Sequence, residues 1–232
     1  VLAAAVLLAR AGRRLPLRPR FEPAVWREIL AFTWPLALTI AFNLIYFKAD
    51  TVVLSLTRPA AEVGLYGAAY RILELAISLA YLFLGLLLPL LAAAVARADH
   101  AALRRVLQRG FDAMVFAGVP LVAGAAVIGV PLMALVAGAP FALAGGVLLP
   151  LMVATAVIFI AALFGYGVVA LGKQRQLIAL YAANAAVTLA AYLWAIPRWG
   201  MWAAAYLTIA SEVITLLGAA WVVYSTTGFT PR

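Results

Sequence analysis

The sequence has no cysteine, one histidine and eight acidic residues. Without cysteine there can be no disulfide framework, thiolate metal site or cysteine nucleophile. The histidine, His100, lies beside Asp99 in the polar stretch 97–109, and the converging ligands that a metal needs cannot be assembled around it. His100 is therefore expected on a solvated loop, and neither a metal nor a cofactor is expected. Charge of either sign is scarce: charged residues make up 11% of the chain and hydrophobic residues 68%. A single soluble domain could not cover that much apolar surface, which excludes a water-soluble enzyme.

What is present is apolar length. The chain has 232 residues and a mean hydropathy of +1.11, and a helical crossing of the hydrocarbon core takes about 20 residues. An all-α polytopic membrane protein is the class that fits. Apolar runs bounded by charged or Pro/Gly-containing breaks give six full spans, approximately 29–56, 64–96, 111–137, 141–171, 177–196 and 201–224. Residues 1–9 are apolar but too short to cross, and are expected to be the end of a truncated transmembrane helix. A basic linker at 10–28, a six-helix bundle at 29–225 and a cytoplasmic tail at 226–232 complete the expected organisation. Pro35, Pro89, Pro120, Pro131 and Pro150 fall inside or near the ends of spans, where neighbours or a cavity must satisfy the backbone they free.

The connections alternate in charge. One side carries Arg10, Arg13, Arg14, Arg18, Arg20, Arg27, Arg97, Arg104, Arg105, Arg109, Lys173, Arg175 and Arg232, whereas the other carries Arg58 and Arg198. By the positive-inside rule the arginine-rich side is cytoplasmic, with the linker and the carboxyl terminus inside. The net charge of +9 is thereby explained as a topology signal, assisted by anionic headgroups. Nucleic acid is not an expected partner, because no recognition motif accompanies the charge.

Ionisable groups inside spans are costly and count as functional candidates. In the first span Thr39, Asn43, Tyr46 and Asp50 follow at steps of four, three and four, so they line one helix face. Lys48 lies about 200° around the helix from Asp50, so the two do not simply pair; it either snorkels to the outer headgroups or meets substrate. Arg71 and Glu74 are three apart and suit an intrahelical pair or a substrate contact, and a contact between Asp50 and Arg71 across adjacent spans is open. Tyr181, Asn184, Thr188 and Tyr192 form a second polar stripe, read first as interhelical hydrogen-bonding glue. Glu212 shares a face with Thr208 and Thr215 and is either a proton-coupled switch or an acid hydrogen-bonded to a neighbouring helix. Asp50, Glu74 and Glu212 are thus the candidates for conformational or proton coupling.

No catalytic constellation is visible. Ser55, Ser78, Ser211 and Ser225 have no histidine base nearby in sequence, and no nucleophile elbow or phosphate-binding glycine loop occurs. Gly145–Gly146 and Gly165–Gly167 read as close helix packing.

Two groups of residues carry a family resemblance. The run Lys48-Ala-Asp50-Thr-Val-Val-Leu, followed by Glu62-Val-Gly-Leu-Tyr66-Gly-Ala-Ala-Tyr-Arg71, resembles the aspartate-bearing helix and following turn of polysaccharide and oligosaccharide flippases. These form part of the multidrug/oligosaccharidyl-lipid/polysaccharide exporter superfamily. Leu171-Gly-Lys173, then Asn184, then Ile196-Pro197-Arg198-Trp199-Gly200-Met-Trp-Ala203-Ala204-Ala205 are similar to later motifs of that family. Trp199 departs from a usual tyrosine and Trp202 from a frequent glycine. The resemblance runs from about residue 29 to 217 and implies the carboxyl-terminal bundle of a longer two-bundle transporter, with the amino-terminal bundle of the same chain as a partner.

What the resemblance implies is a non-enzymatic flippase of the inner cell membrane. It would move a polyprenyl-diphosphate-linked oligosaccharide to the outer leaflet by alternating access. Lys48 and Arg71 would then meet the anionic headgroup, while Asn43, Asp50, Asn184 and Glu212 would hydrogen-bond sugar or bias the conformational equilibrium. The competing readings are a cation-coupled multidrug antiporter of the same superfamily, for which Asp50 and Glu212 are suited, a membrane-embedded glycan polymerase, and a purely structural bundle.

Overall fold

The computed structural model describes residues 22, 23, 25–27, 29, 30 and 48–231, and the chain divides into two compact units, Val1–Ala41 and Phe42–Arg232. In the first unit the described residues include one helical turn, closed by the Trp26 N–H donating to the Glu22 carbonyl at 3.0 Å. The second unit is all-helical among its described residues. Its elements are α1 (described over 48–57), α2 (Ala60–Ala96), α3 (His100–Ala137), a single 3-10 turn (Ala139–Phe141), α4 (Ala144–Ala170) and α5 (Gln174–Thr227). Four of these, α2 to α5, are long and apolar enough to cross a membrane.

The α5 helix has 54 residues. At 1.5 Å per residue a straight rod of that length would measure about 80 Å, far more than the core of a bilayer. It does not stay straight, because Gly200 adopts φ 60° and ψ −142° and turns the chain back on itself. The contacts fix the register: Leu180 packs at Gly218, Asn184 bonds to Ser211 and Thr215, and Tyr192 bonds to Thr208. Each pair is nearly symmetric about Gly200, as in an antiparallel hairpin. The two arms correspond to the expected spans 177–196 and 201–224. The expected spans at 64–96, 111–137 and 141–171 fall on α2, α3 and α4, while most of the span at 29–56 lies outside the described residues. The expected stub 1–9, and with it Thr39, Asn43 and Tyr46, also lies outside them, as do all of the linker's arginines except Arg27.

Several boundaries differ from the sequence reading. Residues 100–109, expected as loop, are the opening turns of α3, started by Asp99, whose carboxylate caps the Ala102 N–H at 2.8 Å. His100 is consequently the first residue of a helix, though exposed as expected. The described helix of α5 runs to Thr227, past the expected end of the bundle at 225. It stops at Gly228, in the left-handed region, where the Arg104 guanidinium donates to the Thr227 carbonyl at 2.8 Å. Phe229, expected in a solvated tail, is buried beside Phe164.

Connections of like composition collect at the same end of the bundle. The α1–α2 turn meets the α5 elbow through Glu62 and Met201, and Gly146, just past the 3-10 turn, packs against Trp202. At the opposite end the start of α3 meets the end of α5, and Gly167 of α4 packs near Leu107 and Val223. Arg97, Arg104, Arg105, Lys173 and Arg175 thus gather at the second end, while Arg58 and Arg198 stand at the first. The helix α4 runs through the middle, packed against α2, α3 and α5. Its close approach to α3 depends on Gly145, where a Cβ would stand 2.4 Å from the backbone of Val130.

Candidate functional site

Three local features build the site. Pro59 ends α1 and starts α2, since proline disfavours helix in the residue before it but suits a helix start. The resulting reversal lays Tyr66, Tyr70 and Leu73 of α2, at steps of four and three, beside the end of α1 that carries Asp50. The fold-back of α5 brings Tyr192 of its first arm opposite Thr208, Ser211 and Glu212 of its second. Asp50, Tyr70 and Leu73, with Ile158 of α4 and the four residues of α5, line a small cavity with about 250 Å³ of empty space, its open mouth included; Tyr66 is joined to it through its hydrogen bond to Asp50.

Asp50 is buried in the wall of this cavity, 2% exposed. The Tyr66 hydroxyl donates to its Oδ2 at 2.5 Å, and the Thr51 N–H and hydroxyl donate to its Oδ1 at 2.6 and 3.2 Å. Glu212 lies in the opposite wall, 6% exposed, so two carboxyl groups 162 positions apart in sequence share one enclosure. Around them the Tyr192 and Thr208 hydroxyls are 2.9 Å apart, and the Ser211 hydroxyl donates to the Thr208 carbonyl at 2.9 Å. Among the described residues lining the cavity there is no lysine or arginine.

Lys48 and Asp50 do not pair with each other, as their helical separation requires. Lys48 reaches Glu74 of α2 in an ion pair and stands over the Tyr70 ring, 4.7 Å from its centroid. Its side chain is 40% exposed, so it sits at a rim and not in the interior. This arrangement corrects two expectations. Glu74 takes its ion pair from α1 and not from Arg71, and Arg71 is exposed on α2 while Asp50 is buried against Tyr66, so the Asp50–Arg71 contact is not made.

Asn184 is 4% exposed. Its amide donates to the Ser211 carbonyl at 3.0 Å and the Thr215 hydroxyl at 3.1 Å, and its Oδ1 accepts from Thr188 at 3.3 Å. The bonds to Ser211 and Thr215 tie the two arms of α5 together, the packing role first assigned to that stripe, while the Thr188 bond lies within the first arm. Asn43 lies outside the described residues.

Two features escaped the sequence reading. Tyr70 lines the cavity and Tyr66 bonds to Asp50 in its wall, and their helical spacing with Leu73 was a usable signal of the kind that picked out the stripe ending at Asp50. Glu62 fastens the elbow of α5. Its Oε1 accepts the Met201 N–H at 2.7 Å and its Oε2 accepts the Arg58 Nε at 2.7 Å. Nothing local in the sequence joins residues 139 positions apart.

Residues 1–95, which include Lys48, Asp50 and Arg71, match a family model described as polysaccharide biosynthesis protein. No curated protein matches the chain. The family match supports the resemblance to polysaccharide flippases and exporters, and with it an involvement in polysaccharide export or flipping by a multi-pass membrane protein.

Proposed function

With its first 95 residues matched to the polysaccharide family, we propose that this protein is a flippase for a polyprenyl-diphosphate-linked oligosaccharide. It works by alternating access in the cell membrane, as a transporter and not an enzyme, with its arginine-rich end cytoplasmic. The observation that carries the reading is the family match over the segment bearing Lys48, Asp50 and Arg71.

On this reading the residues divide the work. A diphosphate asks for cations, and Lys48 and Arg71 are accessible on neighbouring helices. Lys48 is held by Glu74, so an arriving headgroup would exchange one anionic partner for another, leaving Glu74 free to respond. The cavity is too small for an oligosaccharide in this conformation, so the cargo belongs outside it. Asp50 and Glu212 then fall to coupling, since an enclosure bounded by two acids and four hydroxyl side chains is suited to a proton or small cation that biases the conformational equilibrium.

The test uses the protein in proteoliposomes carrying a labelled polyprenyl-diphosphate oligosaccharide, with the label followed as it becomes accessible to an external probe. Protein-dependent translocation supports the proposal, and none overturns it. A second reading, a cation-coupled antiporter, is favoured by one observation, the joint enclosure of Asp50 and Glu212. Cation efflux driven by an imposed gradient, with no glycan movement in the same vesicles, would select it.

A further inference from the structure

The carboxylate of Glu62 occupies a place that a side chain would otherwise fill. A Cβ at position 200 would lie 1.9 Å from its Oε1, and Gly200 has a positive φ of 60°. Position 200 therefore excludes other residues twice, by backbone conformation and by the presence of the carboxylate. Met201 begins the second arm of α5, where helix N–H groups lack intrahelical acceptors, and its N–H is bound by Glu62 from another helix. The Arg58 Nε holds the second oxygen in place. Arg58 and Glu62 are partly shielded, with side chains 32% and 18% exposed.

The two segments that this contact joins lead into opposite walls of the cavity. Arg58 follows directly on α1, which carries Asp50 two turns earlier. Met201 leads into the arm that carries Thr208, Ser211 and Glu212 two to three turns later. Any motion that opens the cavity at the elbow end by parting α1 from the second arm must break or carry the Glu62 contact.

We propose that Glu62, oriented by Arg58, is a latch that closes the elbow end of the cavity by fastening the α1–α2 turn to the first turn of the second arm of α5. Glu62 is a positioning residue, acting through the helices it joins. The latch depends on no particular cargo, so its test is separate from that of transport.

These 232 residues contain no cysteine, so single-cysteine reporters placed in them are clean once any cysteine elsewhere in the protein is replaced. Ser211→Cys reports the cavity, and Val168→Cys, fully buried on α4 in a separate core cluster, reports the fold at large. Each is placed in the full protein in proteoliposomes and labelled with a membrane-impermeant maleimide applied from either side. Losing a hydrogen bond to a charged group should raise labelling of Ser211→Cys from the elbow side about tenfold in Glu62→Ala. Glu62→Gln and Arg58→Gln, which leave an acceptor for the Met201 N–H, should give a smaller rise in the same direction, with Val168→Cys unchanged in all three. An unchanged Ser211→Cys rate overturns the latch, and so does an equal rise at Val168→Cys, which would mean that the contact only holds the fold together. If Glu62→Ala does not fold, the two Gln variants decide by the same criteria.

Discussion

The acids at the rim of the bundle are held differently from those within it. Glu62 and Glu74 are each paired with a base, Arg58 and Lys48, on partly exposed side chains. Asp50 takes its hydrogen bonds from a tyrosine hydroxyl and from Thr51, and Glu212 faces the same hydroxyl-rich cavity. Ion pairs on partly exposed side chains contribute little individually to stability. A carboxyl group inside the membrane-spanning region is costly, so its presence there points to use. The comparison separates acids bound to a base on partly exposed side chains from acids buried in the wall of a hydroxyl-lined cavity.

The sharpest way to break the rim arrangement is Gly200→Ala. Glycine-only backbone and the occupied space together should cost about 3 kcal/mol, read as a large drop in thermal stability in detergent, and wild-type stability would show that Glu62 is not fixed there. Within the cavity, Asp50→Asn keeps shape but removes the acid, and translocation should fall about tenfold, equal to roughly 1.4 kcal/mol, with stability little changed. Unaltered translocation would remove Asp50 from the coupling role. Asn184→Ala cuts the bonds between the arms of α5 and should cost about 1 kcal/mol of stability, measured in the same thermal assay. Smallest is the exposed pair: Glu74→Gln should change stability by less than about 0.5 kcal/mol. The double variant Lys48→Gln with Arg71→Gln should lower translocation while expression is retained, and full activity in it would free both residues from headgroup binding.

The polar stripe from Asn184 to Tyr192 was legible because helical period alone puts those side chains on one face, and burial in an apolar setting obliges them to find partners. The refusal of Lys48 to pair with Asp50 was legible for the same reason of angle. The partner that Lys48 does take was not, because Glu74 lies 26 residues away on another helix. Arg71 misled in the opposite direction: three residues from Glu74, it met the spacing rule for a pair but stands on the exposed face.

Composition, apolar length and the alternation of basic connections determined that this is a helical membrane bundle, with Arg97, Arg104, Arg105, Lys173 and Arg175 at one end among the described residues. They did so because the cost of burying charge and unpaired backbone in lipid acts on each segment separately. Only the tertiary structure decided which helix occupies the middle. The helices α3 and α4 read as equally good spans, yet 17% of the most apolar stretch of α3 is buried against 67% of that of α4. Lipid is as apolar as a helix face, so hydropathy cannot choose between them, and the choice falls to close packing such as that at Gly145. The same holds for the cavity: Asp50 and Glu212 were each visible as costly residues, but their shared enclosure arises from the turn at Pro59 and the fold-back at Gly200, and it exists only once the helices have packed.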